Sequence, residues 1–175
     1  MAGIPPEQER VLALLGMALL TVQHTEFLLQ FTLQYTLPGT DGLTLETLER
    51  SKNELRKKTL GQFLHILKQR IELDDSFESA LDQFLDARNI LAHRVTEIPG
   101  WNMETPDGQR AAQAWLSALI RIANFIAKVL MALMRSWVRQ NGMDNIPIPV
   151  GSEEFFTEID TVYAPAVDTL FFQRE

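Results

Sequence analysis

The stretch from Thr105 to Gly142 reads TPDGQRAAQAWLSALIRIANFIAKVLMALMRSWVRQNG, and it predicts a single helix of about 35 residues. Pro106 suits the first helical position, because the N–H group that proline lacks would be unpaired there. Asn141-Gly142 suits the end, where glycine readily takes the left-handed conformation that closes a last turn. Every other strong periodic signal in the chain is helical as well, which favours an all-α fold.

The same helix is strongly apolar from Ala111 to Val138, as a membrane span would be. It also carries three basic residues, Arg121, Lys128 and Arg135. A bilayer span needs roughly 20 apolar residues with few charges, so the pattern predicts a buried helix of a soluble protein. The other apolar run, Val11 to Val22, is short and follows Glu7 and Glu9, unlike a secretory signal. We therefore expect a cytoplasmic protein that does not bind a membrane.

Polar residues of this long helix share one narrow stripe on a helical wheel. They are Arg110, Gln113, Ser117, Arg121, Asn124, Lys128, Arg135 and Arg139. The stripe contains five basic residues and no acidic one. Its functional interpretation is a groove that tracks RNA phosphates, with Arg121, Lys128 and Arg135 as binding residues. The alternative is a solvated face, or a stripe that pairs with acidic residues of the third helix or the tail.

Three more helical patterns precede this one. They cover approximately residues 6–35, 44–73 and 76–94. Thr59-Leu-Gly-Gln62 is typical of a capping box that restarts the second helix after a bend, and Asp75 to Glu78 of one that begins the third. The first helix is apolar on most sides, so we expect most of its circumference to be buried. Four main helices with short connections predict an up-down four-helix bundle over residues 1–142.

Residues 143–175 form a tail with a composition of its own. The tail holds seven acidic residues and one basic residue, which is most of the chain's net charge of −7. It also holds five aromatic residues, too many for a solvated tail: Phe155, Phe156, Tyr163, Phe171 and Phe172. Residues 146–150 look extended, and Ser152 suits the cap of one short helix. We expect a partly extended tail that packs on the body or on a partner chain, and that could lie across the basic stripe.

Composition excludes several kinds of functional site. The chain has no cysteine, which excludes disulfides, thiol nucleophiles and cysteine-ligated metals. The Glu-x-x-His signature of di-iron bundles is absent, because Thr21, Gln62 and Ile90 stand three residues before the histidines. No glycine-rich phosphate loop occurs. We therefore expect no metal and no cofactor.

Residues 88–93 read Arg-Asn-Ile-Leu-Ala-His, and their types and spacing suggest chemistry. Arg88 falls in the apolar stripe of the third helix, where an unpaired charge is costly. Asn89 and His93 share a polar stripe with Asp86 on another face. Taken singly, His93 fits an exposed histidine at a helix end, and Arg88 fits an ion pair with a carboxylate on another helix.

Taken together, an Arg-Asn pair with a His five positions after the Arg, late in a helix of a small all-α protein, resembles the HEPN superfamily. Lys58 to Leu64 also resembles the helix that commonly precedes this motif. The resemblance implies a homodimeric, metal-independent endoribonuclease, often a toxin or defence protein with an antitoxin or another protein partner. It also implies roles: Arg88 stabilises charge on the scissile phosphate, Asn89 orients His93 or the phosphate, and His93 is the general acid or base.

The resemblance carries a geometric difficulty, because Arg88 and His93 point about 140° apart on a regular helix. Both side chains can serve one phosphate only if the helix loosens before Val95 or if they reach around into a dimer cleft. One alternative is a catalytically inactive HEPN-like domain that binds a protein partner. A further alternative is a helical bundle that binds a small molecule, which would require a deep apolar pocket.

Overall fold

The computed structural model describes residues 3–36, 58–142 and 149–173, most of which are helical. The longer elements are α1 (Pro6–Phe31), α2 (Leu60–Arg70), α3 (Asp75–His93) and α4 (Pro106–Gln140). The shorter ones are α5 (Glu153–Glu158), α6 (Ala164–Leu170), β1 (Ile71–Leu73) and β2 (Phe171–Gln173). Wider π-helical turns extend α1 over Thr32–Thr36 and join α5 to α6 over Ile159–Tyr163, and a 3₁₀ turn, Val95–Glu97, follows α3. The prediction of an all-α fold is confirmed.

Local sequence sets where the helices begin and end. The Thr59 hydroxyl accepts a hydrogen bond from the Gln62 N–H, and the Gln62 side chain accepts one from the Thr59 N–H, so the predicted capping box is confirmed. Thr105 caps α4 through the Gly108 N–H. Gly142 follows the helix with a φ of 69°, the left-handed conformation that favours glycine.

The predicted start of α3 is wrong by one residue. The cap is Asp74, whose carboxylate accepts a hydrogen bond from the Ser76 N–H at 2.9 Å. Glu78, expected to complete a capping box with Asp75, instead forms an ion pair with Lys68 of α2 at 2.8 Å. Either of the consecutive aspartates at 74 and 75 could cap the helix. Glu78 forms no capping box because its carboxylate binds Lys68 of the neighbouring helix α2.

The core lies around α4, with α1 packed along it and α3 and α6 in contact with it as well. The largest fully buried side chains are Leu29, Leu33, Leu67, Phe77, Leu81, Phe84, Ile98, Leu116, Leu119, Ile126, Leu130 and Ile159. Those of the long helices belong to one hydrophobic cluster, whereas Ile159 packs with Ala132 and Val167 in a second, smaller one.

Contacts with α1 give the direction of the chain. Arg70, at the end of α2, donates a hydrogen bond to the Leu33 carbonyl near the end of α1. Later in the chain, Arg88 contacts Glu26, so α3 runs antiparallel to α1. Near the start of α4, Gln113 contacts Glu7, and further along α4 the Ala123 carbonyl contacts Thr25. The partner number on α1 now rises along the chain, so α4 runs parallel to α1.

The expectation that α1 is buried around most of its circumference is wrong. One side, with Val11, Ala18 and Val22, packs into the core. The opposite side exposes large apolar residues to solvent: Leu12, Met17, Leu19, Leu20, Phe27 and Phe31. His24, which has apolar neighbours in sequence, is exposed as well. The helix is apolar on most sides but packs on one, so a mainly apolar face remains uncovered.

A small sheet forms where the sequence predicted helix. α2 ends at Arg70, and Ile71–Leu73 pairs antiparallel with Phe171–Gln173, Glu72 opposite Phe172. Ile71 and Leu73 are buried and Glu72 is exposed, which is the alternation expected of a strand. Three residues are too few for this alternation to be recognised in sequence, and their partner lies about 100 residues away.

The tail residues that the structure describes are mostly helical and pack on the body. Ile159 is fully buried and joins Val167 against Ala132 of α4. The Phe171 ring meets the Phe77 ring edge-on, with 5.4 Å between centroids. Within 149–173, the extended conformation is confined to β2. Residues 149–152 form a turn in which the Ser152 N–H donates to the Pro149 carbonyl at 3.1 Å, so the extended run predicted for residues 146–150 is wrong in its described part. Residues 149–173 therefore contribute to the folded body through apolar side chains.

Two sequence predictions fall outside the described residues: the helix start near residue 44, and residues 146–148 of the extended run predicted over 146–150. Two helical segments, Pro6–Thr36 and Pro106–Gln140, are long and apolar enough to cross a membrane by length and composition. Core helices of soluble proteins and signal sequences meet the same criterion, so these two segments do not decide where the protein resides.

Candidate functional site

Arg88 is held by a carboxylate on another helix. Its Nε lies 2.5 Å from Oε1 of Glu26 on α1, and both side chains are about three-quarters buried. A charge-assisted hydrogen bond of this length fixes the guanidinium in the groove between α1 and α3. The ion pair explains how a charged residue occupies the apolar stripe of α3.

Asn89 extends the same polar group. Its Oδ1 accepts a hydrogen bond from Nη1 of Arg88 at 3.3 Å. Glu26 and Asn89 thus engage Nε and Nη1, and Nη2 has no hydrogen-bond partner among the described residues. Within the part of the chain that the structure describes, the guanidinium keeps donors that face no acceptor, which is the arrangement that an anionic ligand such as phosphate needs.

His93 is exposed at the last position of α3, and Arg94 caps the helix. No described residue forms a hydrogen bond with its ring. The ring is accessible to solvent and to any molecule that approaches this end of α3.

Arg88 and His93 remain on different sides of α3. The helix ends before Val95, at Arg94, but it stays regular through His93, so this ending does not bring the His93 side chain round to Arg88. A regular helix directs the two side chains about 140° apart, with Arg88 facing α1. Within one chain the structure brings Arg88, Asn89 and Glu26 together, but not His93. A site that uses all of them requires a second molecule or a flexible substrate that wraps the helix.

An open groove lies on the other side of α3, against α4. It measures about 300 Å³ and is lined by Gln83, Asp86, Ala87, Ile90, Trp115, Ala118, Leu119 and Ile122. The walls are mainly apolar, and the groove is wide open to solvent. It is therefore unlike the deep apolar pocket expected of a small-molecule-binding bundle. Arg88, Asn89 and His93 do not line it.

Two of the three predicted phosphate-binding residues are engaged by acidic residues of the tail. Lys128 lies 2.6 Å from Glu158. Arg135 donates two hydrogen bonds, of 2.8 and 2.6 Å, to the Asp160 carboxylate. Arg139 approaches the same carboxylate at 2.8 Å. The pairing with the acidic tail, left open as an alternative to RNA binding, is thus present.

The pKa values of the paired groups reflect these contacts. The hydrogen bond from Arg135 lowers the pKa of Asp160 below its ordinary value, against the effect of burial. The hydrogen bond to Glu158 raises the pKa of Lys128, which also lies over the ring of Tyr163. Each cation of the stripe that meets α5 or the following turn is therefore held in its charged form.

Arg121 is the exception among the three predicted binding residues. It is exposed, and it forms no ion pair with a residue that the structure describes. Arg110 pairs with Asp107 one turn before it on the same helix. The first half of the stripe is therefore accessible, whereas the second half is covered by the tail.

The residues that sequence reasoning missed are the partners. Glu26 had no predicted role, and Glu158 and Asp160 were assigned only to the acidic tail. Glu26 is the only charged residue of α1 after Arg10, and a carboxylate so isolated suggests a partner on another helix, but 62 residues separate Glu26 from Arg88. Among the described residues, no group of three or more histidine or acidic side chains is placed to hold a metal.

Comparisons with known proteins add no family to this geometry. No family model matches the chain, no curated protein matches it, and no solved structure matches it. What the protein does is therefore inferred from the residues around Arg88, from the exposed faces of the helices and from the distribution of charge.

Proposed function

We propose that the chain is a HEPN-like, metal-independent endoribonuclease that acts as a homodimer, with Arg88, Asn89 and His93 as its catalytic residues. The observation that carries the proposal is the fixed group of Arg88 and Asn89, with guanidinium donors left for an anion. The exposed imidazole of His93 lies at the end of the same helix. A HEPN-like bundle with α3 at the dimer cleft is part of the proposal.

In this mechanism the 2′-hydroxyl of a ribose attacks the adjacent phosphorus. The O2′–P bond forms while the P–O5′ bond breaks, which leaves a 2′,3′-cyclic phosphate and a 5′-hydroxyl. Arg88 stabilises the charge that develops on the phosphate oxygens. His93 removes the proton from the 2′-hydroxyl or returns one to the departing 5′-oxygen, the role that histidine takes most often in proton transfer.

A homodimer supplies what one chain lacks. Arg88 and His93 of a single chain diverge around α3, so the proposal places Arg88 of one chain and His93 of the other at the same phosphate. The accessible half of the basic stripe, at Arg121, would carry RNA toward that cleft, and Lys128 and Arg135 would join it when the tail is displaced.

The test is cleavage of a mixed RNA pool by the purified protein in excess EDTA. We expect EDTA-resistant cleavage that ends in cyclic phosphates and falls by at least about 100-fold in His93→Ala. His65→Ala is the matched control, because His65 is also an exposed helical histidine but lies on α2 and contacts only Gln69. Equal cleavage by wild type and His93→Ala would contradict the proposal.

The second candidate is a catalytically inactive HEPN-like domain that binds a protein partner. The Arg88–Glu26 ion pair favours it, because Glu26 already compensates the charge that a phosphate would have to meet. If the domain is catalytically inactive, neither wild type nor His93→Ala cleaves RNA. Glu26→Gln distinguishes the two situations further: it would raise cleavage if the ion pair restrains an active site, and would leave an inactive domain inactive.

A further inference from the structure

The exposed side of α1 is a continuous apolar surface. Leu20 is 69% exposed, Phe27 59% and Met17 55%, and Leu12, Leu19 and Phe31 are exposed beside them. All six lie within one half of the helix circumference, opposite the side that packs into the core. Between Arg10 and Glu26 the helix carries no charged residue. We call this surface the α1 face.

The size of the α1 face separates it from ordinary surface leucines. Its six large side chains expose roughly 600 Å² of mainly apolar surface, the upper end of what a monomer normally presents. A stable interface of standard size buries about 800 Å² on each partner. One helix face therefore supplies most of the area that a dimer needs, and the neighbouring Ala13, Gln23 and His24 supply more.

Gly16, in the middle of the α1 face, is a second and independent observation. Glycine disfavours a helix interior, so a mid-helix glycine usually marks a close approach of another group. Here nothing in the chain approaches: a Cβ built on Gly16 meets no atom within 4 Å. The fold of the single chain gives no reason for glycine at this position, whereas a second backbone passing close by would.

We infer that the α1 face is the interface with a second copy of this chain, formed by two antiparallel α1 helices that cross at Leu19 and Leu20 and approach each other closely beside Gly16. The face is self-complementary about a two-fold axis between Leu19 and Leu20. Such an axis sets Leu12 of one copy against Phe27 of the other, and Gly16 against Gln23. Large side chains then meet at both ends, and the glutamine lies over the glycine.

The inferred interface lies next to the Arg88–Glu26 ion pair. Glu26 borders the α1 face on the side of Leu19 and Gln23, and it holds Arg88 at 2.5 Å. An interface on this face therefore runs beside both Arg88 guanidiniums. The inference does not rest on RNA cleavage, because it concerns association alone and is measured by mass.

The experiment is sedimentation or light scattering of the full chain over a range of concentrations, with four proteins. We expect the wild type to be a dimer, and Leu20→Glu to be a monomer, because it places two glutamates together at the axis. Gly16→Leu should raise the dissociation constant at least tenfold, because its side chain holds the helices apart. Val162→Glu is the matched control: Val162 is 58% exposed but lies in the turn between α5 and α6, so this variant should stay dimeric.

Circular dichroism distinguishes a lost interface from a lost fold. Gly16→Leu has open space in the monomer and should retain or gain helix stability. Lipid is the other occupant to test, because Pro6–Thr36 is long and apolar enough for a membrane. A wild type that is monomeric at about 100 μM, or that floats as a monomer with neutral phosphatidylcholine vesicles, would overturn the inference. So would a Gly16→Leu variant that associates more tightly than wild type.

Discussion

At the scale of single residues, the α1 carboxylate Glu26 and the α3 guanidinium of Arg88 show how a tertiary contact makes a costly residue acceptable. Each group would be expensive to bury alone, and together they offset most of that cost. Asn89 adds a hydrogen bond to the same guanidinium. The pair is therefore structural whether or not Arg88 is also catalytic, and loss of either partner leaves an uncompensated, largely buried charge.

Two buried threonines on the same helix make a matched prediction. The Thr25 hydroxyl lies 3.1 Å from the Ala123 carbonyl oxygen of α4 and 2.9 Å from that of Thr21. The Thr32 hydroxyl, two turns further along α1, has no hydrogen-bond partner among the described residues. We expect Thr25→Val to lower the free energy of unfolding by about 1 kcal/mol, and Thr32→Val to leave it unchanged or raise it by up to about 1 kcal/mol.

Urea unfolding of the two variants beside wild type measures the difference. Each substitution replaces a hydroxyl with a methyl group of nearly the same shape, so packing changes little in both. The Thr25 variant tests the hydrogen bond between α1 and α4, and the Thr32 variant tests the cost of an unpaired hydroxyl. Equal destabilisation by both would show that Thr32 does have a polar partner in the folded protein.

At the scale of elements, α5, α6 and the turn between them are held on α4 by two kinds of contact. Ile159 and Val167 bury apolar surface against α4. Asp160 accepts two hydrogen bonds from Arg135 and a third ion-pair contact from Arg139. The apolar contacts do not depend on pH, whereas the ionic ones do, so acid should loosen this segment selectively.

The pH dependence follows from the pKa of Asp160. Hydrogen bonds from Arg135 lower that pKa in the folded protein. The carboxylate therefore stabilises the folded state above its ordinary pKa of 3.8, and this contribution is lost as the pH falls through the lower, folded-state pKa. Asp160→Asn should remove about 1–3 kcal/mol at neutral pH, and its stability should change less than that of wild type below about pH 4.

Hydrogen exchange of the α5 and α6 amides at pH 7 and in acid is the measurement. Glu154→Gln serves as control. Glu154 lies on α5, which directly precedes the turn that holds Asp160, and it is exposed and forms no ion pair with the described residues. Asp160→Asn should increase exchange in α5 and α6 at pH 7, and Glu154→Gln should not. If the two variants exchange alike, the ion pairs do not hold the segment.

At the scale of the whole molecule, the charge is divided between a nearly neutral body and an acidic tail. Three bases of α4 (Lys128, Arg135 and Arg139) are matched by Glu158 and Asp160 of that tail. A polyanion such as RNA must compete with these intramolecular acids for the second half of the stripe. The tail thus weakens nucleic-acid binding both by its overall repulsion and by direct pairing.

This competition predicts that Glu158→Gln combined with Asp160→Asn binds single-stranded RNA more tightly than wild type. Release of three cations should also steepen the plot of log affinity against log salt by roughly 2 units. Fluorescence anisotropy with an unstructured RNA, repeated over several salt concentrations, measures both effects. Glu153→Gln with Glu154→Gln removes the same charge from the same tail without freeing these bases, so equal gains in the two double variants would refute direct competition.

Much of the fold followed from local sequence. The caps at Thr59 and Thr105 and the end at Gly142 depend on residues within a turn of each other, so they were predictable. The strand Ile71–Leu73 and the cap at Asp74 were not, because a partner strand 100 residues away and Lys68 of α2 decide them. For the candidate site, spacing placed Arg88, Asn89 and His93 on their helix but gave none of their partners.

The sequence alone determined the helices, the apolar character of α1 and α4, the acidic tail and the position of Arg88 in an apolar stripe, because these depend on residue type and a period of 3.6. Tertiary structure decided the rest: which side of α1 stays exposed, which acid meets which base, and that Arg88 and His93 diverge. Those outcomes depend on packing between distant segments. A helix that is apolar on most sides, like α1, carries too weak a local signal for the side that faces solvent.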